Sequence, residues 1–173
     1  ARARGQWLAF GAVQRRGTTD ALVARLGKRD PERMDGPVAA ALRLGMFELL
    51  YAGRAADHAA VGDAVELAKK GMREGGPRRA SAASGLVNAL LRRAARERDE
   101  LLASLSDDGP AEAAVMHSAP EWLTAMWWEE LGADSARSLL RAINESLPTA
   151  LRANTLRTTP DALAANLAEN GEQ

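Results

Sequence analysis

The sequence predicts an all-α protein: a helical bundle, then a further helical segment carrying one β-strand and a terminal helix. Three observations predict it. Alanine and leucine dominate a hydrophobic fraction of 46%, while aromatics make up 4%. That balance suits helices packed on helices better than a sheet rich in Val, Ile, Tyr and Thr. Apolar residues recur at helical spacing along most of the chain, and Gly, Pro and Asp interrupt them at about one helix length.

Ala3, Trp7, Phe10 and Gln14 share one face of a first helix, which Gly17 is expected to end. Asp20 opens a short helix that runs through Leu26 to Gly27, and Pro31 to Pro37 is a polar link. Val38, Leu42, Gly45, Met46, Leu49 and Leu50 fit a core-facing helix that Gly53 stops. Asp57 is placed as the cap of the next helix, whose buried face reads Val61, Ala64, Val65 and Ala68. Gly71 to Pro77 is a loop. A long helix from about Ala80 to Leu105 turns Leu86, Val87, Leu90, Ala94 and Leu101 inward. Asp107-Asp108-Gly109-Pro110 breaks it and marks a domain boundary, dividing the chain into 1–106 and 107–173.

Beyond the break, Ser118-Ala119-Pro120-Glu121 has the form of a capping box at the head of a helix that holds Trp122, Trp127 and Trp128. Asp134 precedes another helix, Ser135 to Asn144. Thr149 to Arg157 alternates apolar and polar residues, the one strand expected in the chain. Thr159-Pro160-Asp161 caps a last helix, closed by Asn170-Gly171.

Composition excludes several classes. With 23 basic and 23 acidic residues the net charge is zero, so only a local patch can hold nucleic acid. The chain has no cysteine, hence no disulfide, thiolate metal site or cysteine nucleophile. Its two histidines, His58 and His117, have no ligand set around them, so no metal is expected. No apolar run reaches the roughly 20 residues of a membrane span, and no signal peptide is visible. A cytoplasmic, monomeric protein without membrane contact is expected. A start without Met and an end just past Asn170-Gly171 suggest a piece of a longer protein.

At 100° per residue, Asn88, Arg92 and Arg96 form a stripe opposite Leu86, Leu90 and Leu101, with Arg78 and Arg79 at the helix entrance. Such a stripe can contact phosphates, or it can be a solvated face, as nearby Glu97, Asp99 and Glu100 suggest. Arg152 and Asn154 stand on the polar side of the expected strand. The three tryptophans fit core or interdomain packing better than base stacking, and Asp107-Asp108 fits turn chemistry better than acid–base catalysis.

Six motifs in order carry a family resemblance. Trp7-Leu8-Ala9-Phe10-Gly11-Ala12-Val13 with Arg15 to Leu22 is similar to the second helix and turn of the NusB-like domain in ribosomal-RNA cytosine-C5 methyltransferases of the RsmB/Fmu/Sun family. Leu42 to Leu50, His58 to Lys69 (with Gly62-Asp63 in place of the usual Asn-Glu) and Gly85 to Arg93 resemble three further helices of that domain. His117-Ser118-Ala119-Pro120-Glu121-Trp122-Leu123 and Leu151 to Arg157 resemble the opening and a strand of the methyltransferase part.

The resemblance implies a NusB-like RNA-binding bundle over 1–106 and the incomplete start of the methyltransferase N-terminal subdomain over 107–173. It implies that the region grips small-subunit ribosomal RNA and presents the substrate to a catalytic domain. It adds Arg2, Arg4, Arg15 and Arg16 as a second candidate RNA cluster and gives Arg152 and Asn154 a possible RNA contact; contact with the absent catalytic domain is the other reading. S-adenosylmethionine is expected in the full-length parent. C5 methylation needs a thiolate and a glycine-rich cofactor turn; this segment has neither, so no catalytic or cofactor residue is expected in it. A free-standing NusB-type antitermination factor and a helical protein-interaction module are the alternatives.

Overall fold

The computed structural model describes residues 2–53, 56–145 and 151–169. Among these the chain forms α-helices joined by short 3-10 and π turns, and no strand. The first pair is α1 (Arg2–Gln14) and α2 (Arg16–Gly27). The chain turns at Arg15 (φ −98°, ψ 17°), not at Gly17, which lies inside α2. Asp20 lies inside α2 as well and does not open it. Its carboxylate accepts Nε and Nη2 of Arg43 at 2.7 Å each, a bidentate clamp onto the next helix.

The polar link holds a 3-10 turn, Pro31–Arg33, before α3 (Gly36–Phe47) and a π turn, Glu48–Ala52. Gly53 ends this run at φ 57°, where a side chain would be strained. In α4 (Asp57–Gly71), Asp57 is the first helical residue and makes no cap; its carboxylate binds Arg98 at 2.5 Å instead. The glycine-rich loop shortens to a 3-10 turn, Arg73–Gly75. The long helix starts earlier than expected and breaks at Glu97, giving α5 (Pro77–Arg96) and α6 (Arg98–Ala103). Pro77 at the first position explains the early start, since it needs no N–H partner there.

α4 and α5 pair closely and α3 lies across both. Their shared core comprises Leu22, Val23 and Leu26 of α2, Leu42 and Met46 of α3, Val61, Ala64 and Ala68 of α4, and Val87, Leu90, Leu91 and Ala94 of α5. Leu86 is a correction: it is 36% exposed, while Leu91 is fully buried. At 100° per residue Leu86 stands about 90° from the Val87–Ala94 midline, at the edge of the buried arc. Trp7 and Phe10 of α1 are also exposed, though Trp7 meets Phe47 edge-on at 5.5 Å.

Three further helices follow: α7 (Pro110–His117), α8 (Glu121–Leu131) and α9 (Ala133–Ala142). α7, which no periodicity announced, packs against α2, α8 and α9. Ser118 does not cap α8. It sits in the left-handed region (φ 56°, ψ 33°) as the last turn of α7, where Ala119 N–H bonds the Ala114 carbonyl at 3.0 Å. This is a Schellman ending, and it uses the serine before α8 can. Pro120 takes the cap position of α8 without a side-chain bond.

The expected strand is also corrected. Thr149 and Ala150 lie outside the described residues; 151–154 is irregular and 155–157 is a turn. Asn154 closes it, its side-chain oxygen accepting Leu156 N–H at 3.1 Å. Alternation alone cannot make a strand without a second strand to pair its N–H and C=O groups. The last helix, α10 (Pro160–Glu169), starts as expected, with Thr159 Oγ1 accepting Ala162 N–H at 3.2 Å. Its expected stop at Asn170-Gly171 lies outside the described residues.

Candidate nucleic-acid interface

The candidate arginines fall into separate groups. Arg92 and Arg96 are exposed on α5 one turn apart, and Arg92 Nε donates to Asn88 Oδ1 at 2.9 Å. This is the stripe expected from the sequence, with no carboxylate bound to Arg92 or Arg96 among the described residues. Arg78 and Arg79 open the same helix, but at 1.5 Å rise per residue Arg79 and Arg92 stand about 20 Å apart. They are two sites along one helix, not one. Arg79 also lies 3.6 Å from Asp35.

The expected second cluster is divided along α1, with Arg2 and Arg4 at its start and Arg15 and Arg16 past its end; Arg4 pairs with Glu48, a buried carboxylate of the π turn, which gives that arginine a structural task. Arg2 begins α1, and its side chain lies outside the described residues. Arg16 bonds Asp20 at 3.4 Å and Glu32 at 3.0 Å. Arg15 makes no ion pair among the described residues; its guanidinium lies 4.8 Å from the centre of the Tyr51 ring. Arg152 and Asn154 are exposed in the irregular segment, away from a strand face. Trp122 is exposed, while Trp128 carries Arg137 at 5.0 Å.

Sequence reasoning missed two features. Lys69, Lys70 and Arg73 stand at the end of α4 and the turn beside Arg78, so the stretch 66–79 carries five cations against Glu66 and Glu74. The density of Lys and Arg there was the available signal. The second feature is a cleft of about 430 Å³ where the α1–α2 turn, the π turn, the end of α6, α7 and α9 meet, lined by Arg15, Tyr51, Leu105, Met116, His117 and Arg141. No spacing in the sequence could have joined residues so far apart in the chain.

A polar clasp holds this junction. Thr18, fully buried, donates Oγ1–H to the Val115 carbonyl at 2.6 Å and lies 2.7 Å from Ser118 Oγ. Its backbone N–H donates to the same serine at 2.9 Å. Asn144 Nδ2 donates to the His117 carbonyl at 2.8 Å, and Gln14 Nε2 to the Ile143 carbonyl at 3.1 Å. Thr18→Val keeps the shape and deletes the hydroxyl, removing its bond to the Val115 carbonyl, which keeps only the longer one from Ser118 N–H at 3.3 Å, and its contact with Ser118 Oγ. It is expected to cost about 1–3 kcal/mol, read as a lower urea midpoint; an unchanged midpoint would remove the clasp from the account.

His117 is buried, and its Nε2 finds no hydrogen-bond partner among the described residues; Asp107 Oδ2, at 3.5 Å, is too far. Burial holds its imidazole below the usual histidine range, against the pull of Asp107 and with Arg15 and Arg141 adding to the effect. Burial opposes the Asp107 charge too, but Arg141, donating Nη2 at 2.9 Å, and its other neighbours keep that carboxyl below its ordinary value. Burial pushes the Tyr51 hydroxyl up.

The signs set a pH dependence. A histidine depressed in the fold is protonated first in the unfolded chain, so stability falls as pH drops below the ordinary value of 6.5. Asp107 adds a second loss as pH falls through 3.8 and below. Thermal melts between pH 8 and pH 5 should show a falling midpoint, flattened in His117→Gln; parallel profiles for both proteins would contradict this.

Among the described residues no group of His, Asp and Glu could hold a metal ion, and no helix is long and apolar enough to cross a membrane.

Comparison with known proteins matches residues 2–96 to the NusB family and residues 119–173 to the Methyltr_RsmF/B-like, ferredoxin-like domain. The chain is 37% identical over 166 residues to ribosomal RNA small subunit methyltransferase B of Pseudomonas putida, covering 96% of this chain and 35% of that protein. It is 30% identical over 162 residues to a probable ribosomal RNA small subunit methyltransferase B of Synechocystis, covering 94% and 34%. An Escherichia coli ribosomal RNA small subunit methyltransferase B is 30% identical over 166 residues, covering 96% and 35%. The chain thus spans about a third of the length of these relatives. No solved structure matches.

Proposed function

From the premise that this chain belongs to the NusB family, we propose that it is the RNA-gripping N-terminal region of an S-adenosylmethionine-dependent small-subunit ribosomal-RNA cytosine-C5 methyltransferase. The observation that carries the reading is the order of two family matches in one chain, NusB over 2–96 and the RsmF/B-like ferredoxin-like domain over 119–173. The second match is what a free-standing NusB-type factor lacks a reason to carry. The break near Asp107-Asp108-Gly109-Pro110 falls between the two matches and divides the chain into 1–106 and 107–173.

The residues present do not fit S-adenosylmethionine. A glycine-rich turn between strand and helix would be needed, and the described residues hold no strand. Nor is there a cysteine to attack cytosine. The cofactor site and nucleophile of the parent protein are therefore assigned outside these 173 residues, and no chemical step is placed in this chain.

What these residues do is bind and position. Arg92 and Arg96, with Asn88 bracing Arg92, offer one phosphate-contacting stripe, and Arg78 and Arg79 a second. Arg15 and Arg16 add a third at the corner of α1 and α2, while Arg2 and Arg4, at the start of α1, stand about 17–20 Å from it at 1.5 Å per residue and form a separate group. Arg152 and Asn154 face the parts of the parent protein that follow or the same RNA.

The proposal is tested by fluorescence-anisotropy titration with small-subunit ribosomal-RNA helices and with unrelated RNAs of equal length and base composition. Tighter binding of ribosomal helices at physiological salt is expected. Equal affinity for all RNAs, or none for any, would count against a role in ribosomal-RNA recognition.

A further inference from the structure

The cleft between the bundle and α7–α9 has the chemistry of a ligand site, and we infer that it takes one unpaired nucleotide of an RNA strand. The inference rests on the RNA reading above but uses different residues from the α5 stripe.

The cation side comes first. Arg15 is held over Tyr51 at 4.8 Å, and Tyr51 in turn stacks on Phe47 at 6.0 Å with 28° between the rings. This stack fixes the guanidinium at the cleft wall, and no carboxylate among the described residues pairs with it. A fixed, unpaired guanidinium suits a phosphate group. Arg141 of α9, whose Nη2 donates to Asp107 at 2.9 Å, lines the cleft as a second cation.

The acceptor side is supplied by α9 and the residues after it. Asn144 commits its amide N–H groups to the carbonyls of His117 and Leu140, at 2.8 and 3.1 Å, which leaves its side-chain oxygen as an acceptor. Glu145, the next residue, also lines the cleft and brings a carboxylate to this end of it. A cleft lined by acceptors and cations together matches a base that bears an exocyclic amino group on a sugar that bears a phosphate. Leu102, Leu105 and Met116 give the apolar wall a base face needs. A volume of about 430 Å³ holds one nucleotide and excludes a duplex. The buried His117 ring, whose Nε2 lies 3.5 Å from Asp107 Oδ2 and makes no hydrogen bond among the described residues, also lines the cleft. Because the walls come from both halves of the chain, an occupant would tie the α1–α2 turn and the π turn to α7 and α9.

The test is a methyl NMR titration of the whole chain with CMP, AMP, GMP, UMP and inorganic phosphate in turn. Saturable shifts of the Leu105 and Met116 methyls are expected with CMP, AMP and GMP, and weaker ones with UMP, which lacks the amino group. Leu105→Trp fills the cleft and should weaken CMP binding at least tenfold with the fold retained. If that variant fails to fold, Glu145→Ala, an exposed change, should weaken CMP and AMP while leaving UMP unchanged. No saturable shift with any nucleotide overturns the inference, as does CMP binding that survives Leu105→Trp or Glu145→Ala. Equal shifts from inorganic phosphate reduce the site to an anion pocket and also overturn it. Mononucleotide binding without binding of a ribosomal-RNA helix would sink the proposed function and leave the cleft standing; the converse result would do the reverse.

Discussion

Leu91→Ala should lower the unfolding free energy by about 2–5 kcal/mol, toward the upper end of the range for a buried leucine. Leu91 is fully buried, and its side chain fills the space that Gly45 leaves open between α3 and α5. A Cβ built on Gly45 would stand 2.4 Å from Leu91 Cδ1 and 3.1 Å from the Ala64 Cβ, so the three helices meet where only glycine fits. Removing Leu91 leaves a cavity that rigid, mutually packed helices cannot close. The pairing predicts its own cycle. Gly45→Ala alone is destabilising, yet in the Leu91→Ala background the added methyl occupies vacated space and recovers part of the loss. Urea midpoints at constant slope give the answer. A loss below about 1 kcal/mol for Leu91→Ala, smaller than the burial term for such a side chain, would mean that the helices do not pack as described.

Arg92→Ala with Arg96→Ala should weaken binding of a ribosomal-RNA helix by about tenfold or more per residue, the order expected for a charge-assisted bond to phosphate. The slope of log affinity against log salt should become shallower by about 2. Stability should move by no more than about 0.5 kcal/mol, as for other surface changes. The structure gives the reason: both side chains are exposed, and among the described residues the one side-chain bond of Arg92 is to Asn88 in its own helix. Arg4 makes the contrast. Its partner Glu48 is a buried carboxylate, so Arg4→Ala should cost stability first. Unchanged affinity in the double variant, with a lowered melting point, would give the stripe a structural role instead.

The bundle was legible because its helices carry apolar residues at a fixed phase: Val38, Leu42, Met46 and Leu49, and Val61, Ala64 and Ala68, are buried as the spacing predicts, while Leu50 and Val65 are partly buried at the edge of the core. Errors arose where a distant partner decided the outcome. Asp20 reads as a helix opener until Arg43 is beside it, and Asp57 as a cap until Arg98 is. Ser118 reads as a capping box because its neighbours have the right letters. Thr18, a hundred residues earlier, takes its hydroxyl and the end of α7 takes its backbone. Leu86 and Leu91 differ by five residues and about half a turn, which a face drawn too wide does not separate. Alternation at Leu151 to Arg157 carried no information about a pairing strand, and without one the segment is irregular with a turn.

The site divides in the same way. Arg92, Arg96 and Asn88 share one helix, so their juxtaposition follows from spacing alone. Arg15, Tyr51, His117 and Arg141 come from four elements, and only the fold brings them together. Arg4 was a fair candidate by position and composition, but a buried glutamate on another element claims it.

The central claim is that this chain holds RNA through its arginines. The most direct measurement is the affinity of the whole chain for a small-subunit ribosomal-RNA helix across a range of salt concentrations. The account predicts a linear fall of log affinity with log salt, steeper than about −3, since at least four phosphate contacts should each contribute a slope of about −0.7 to −0.9. A slope near zero, with binding intact, would contradict it.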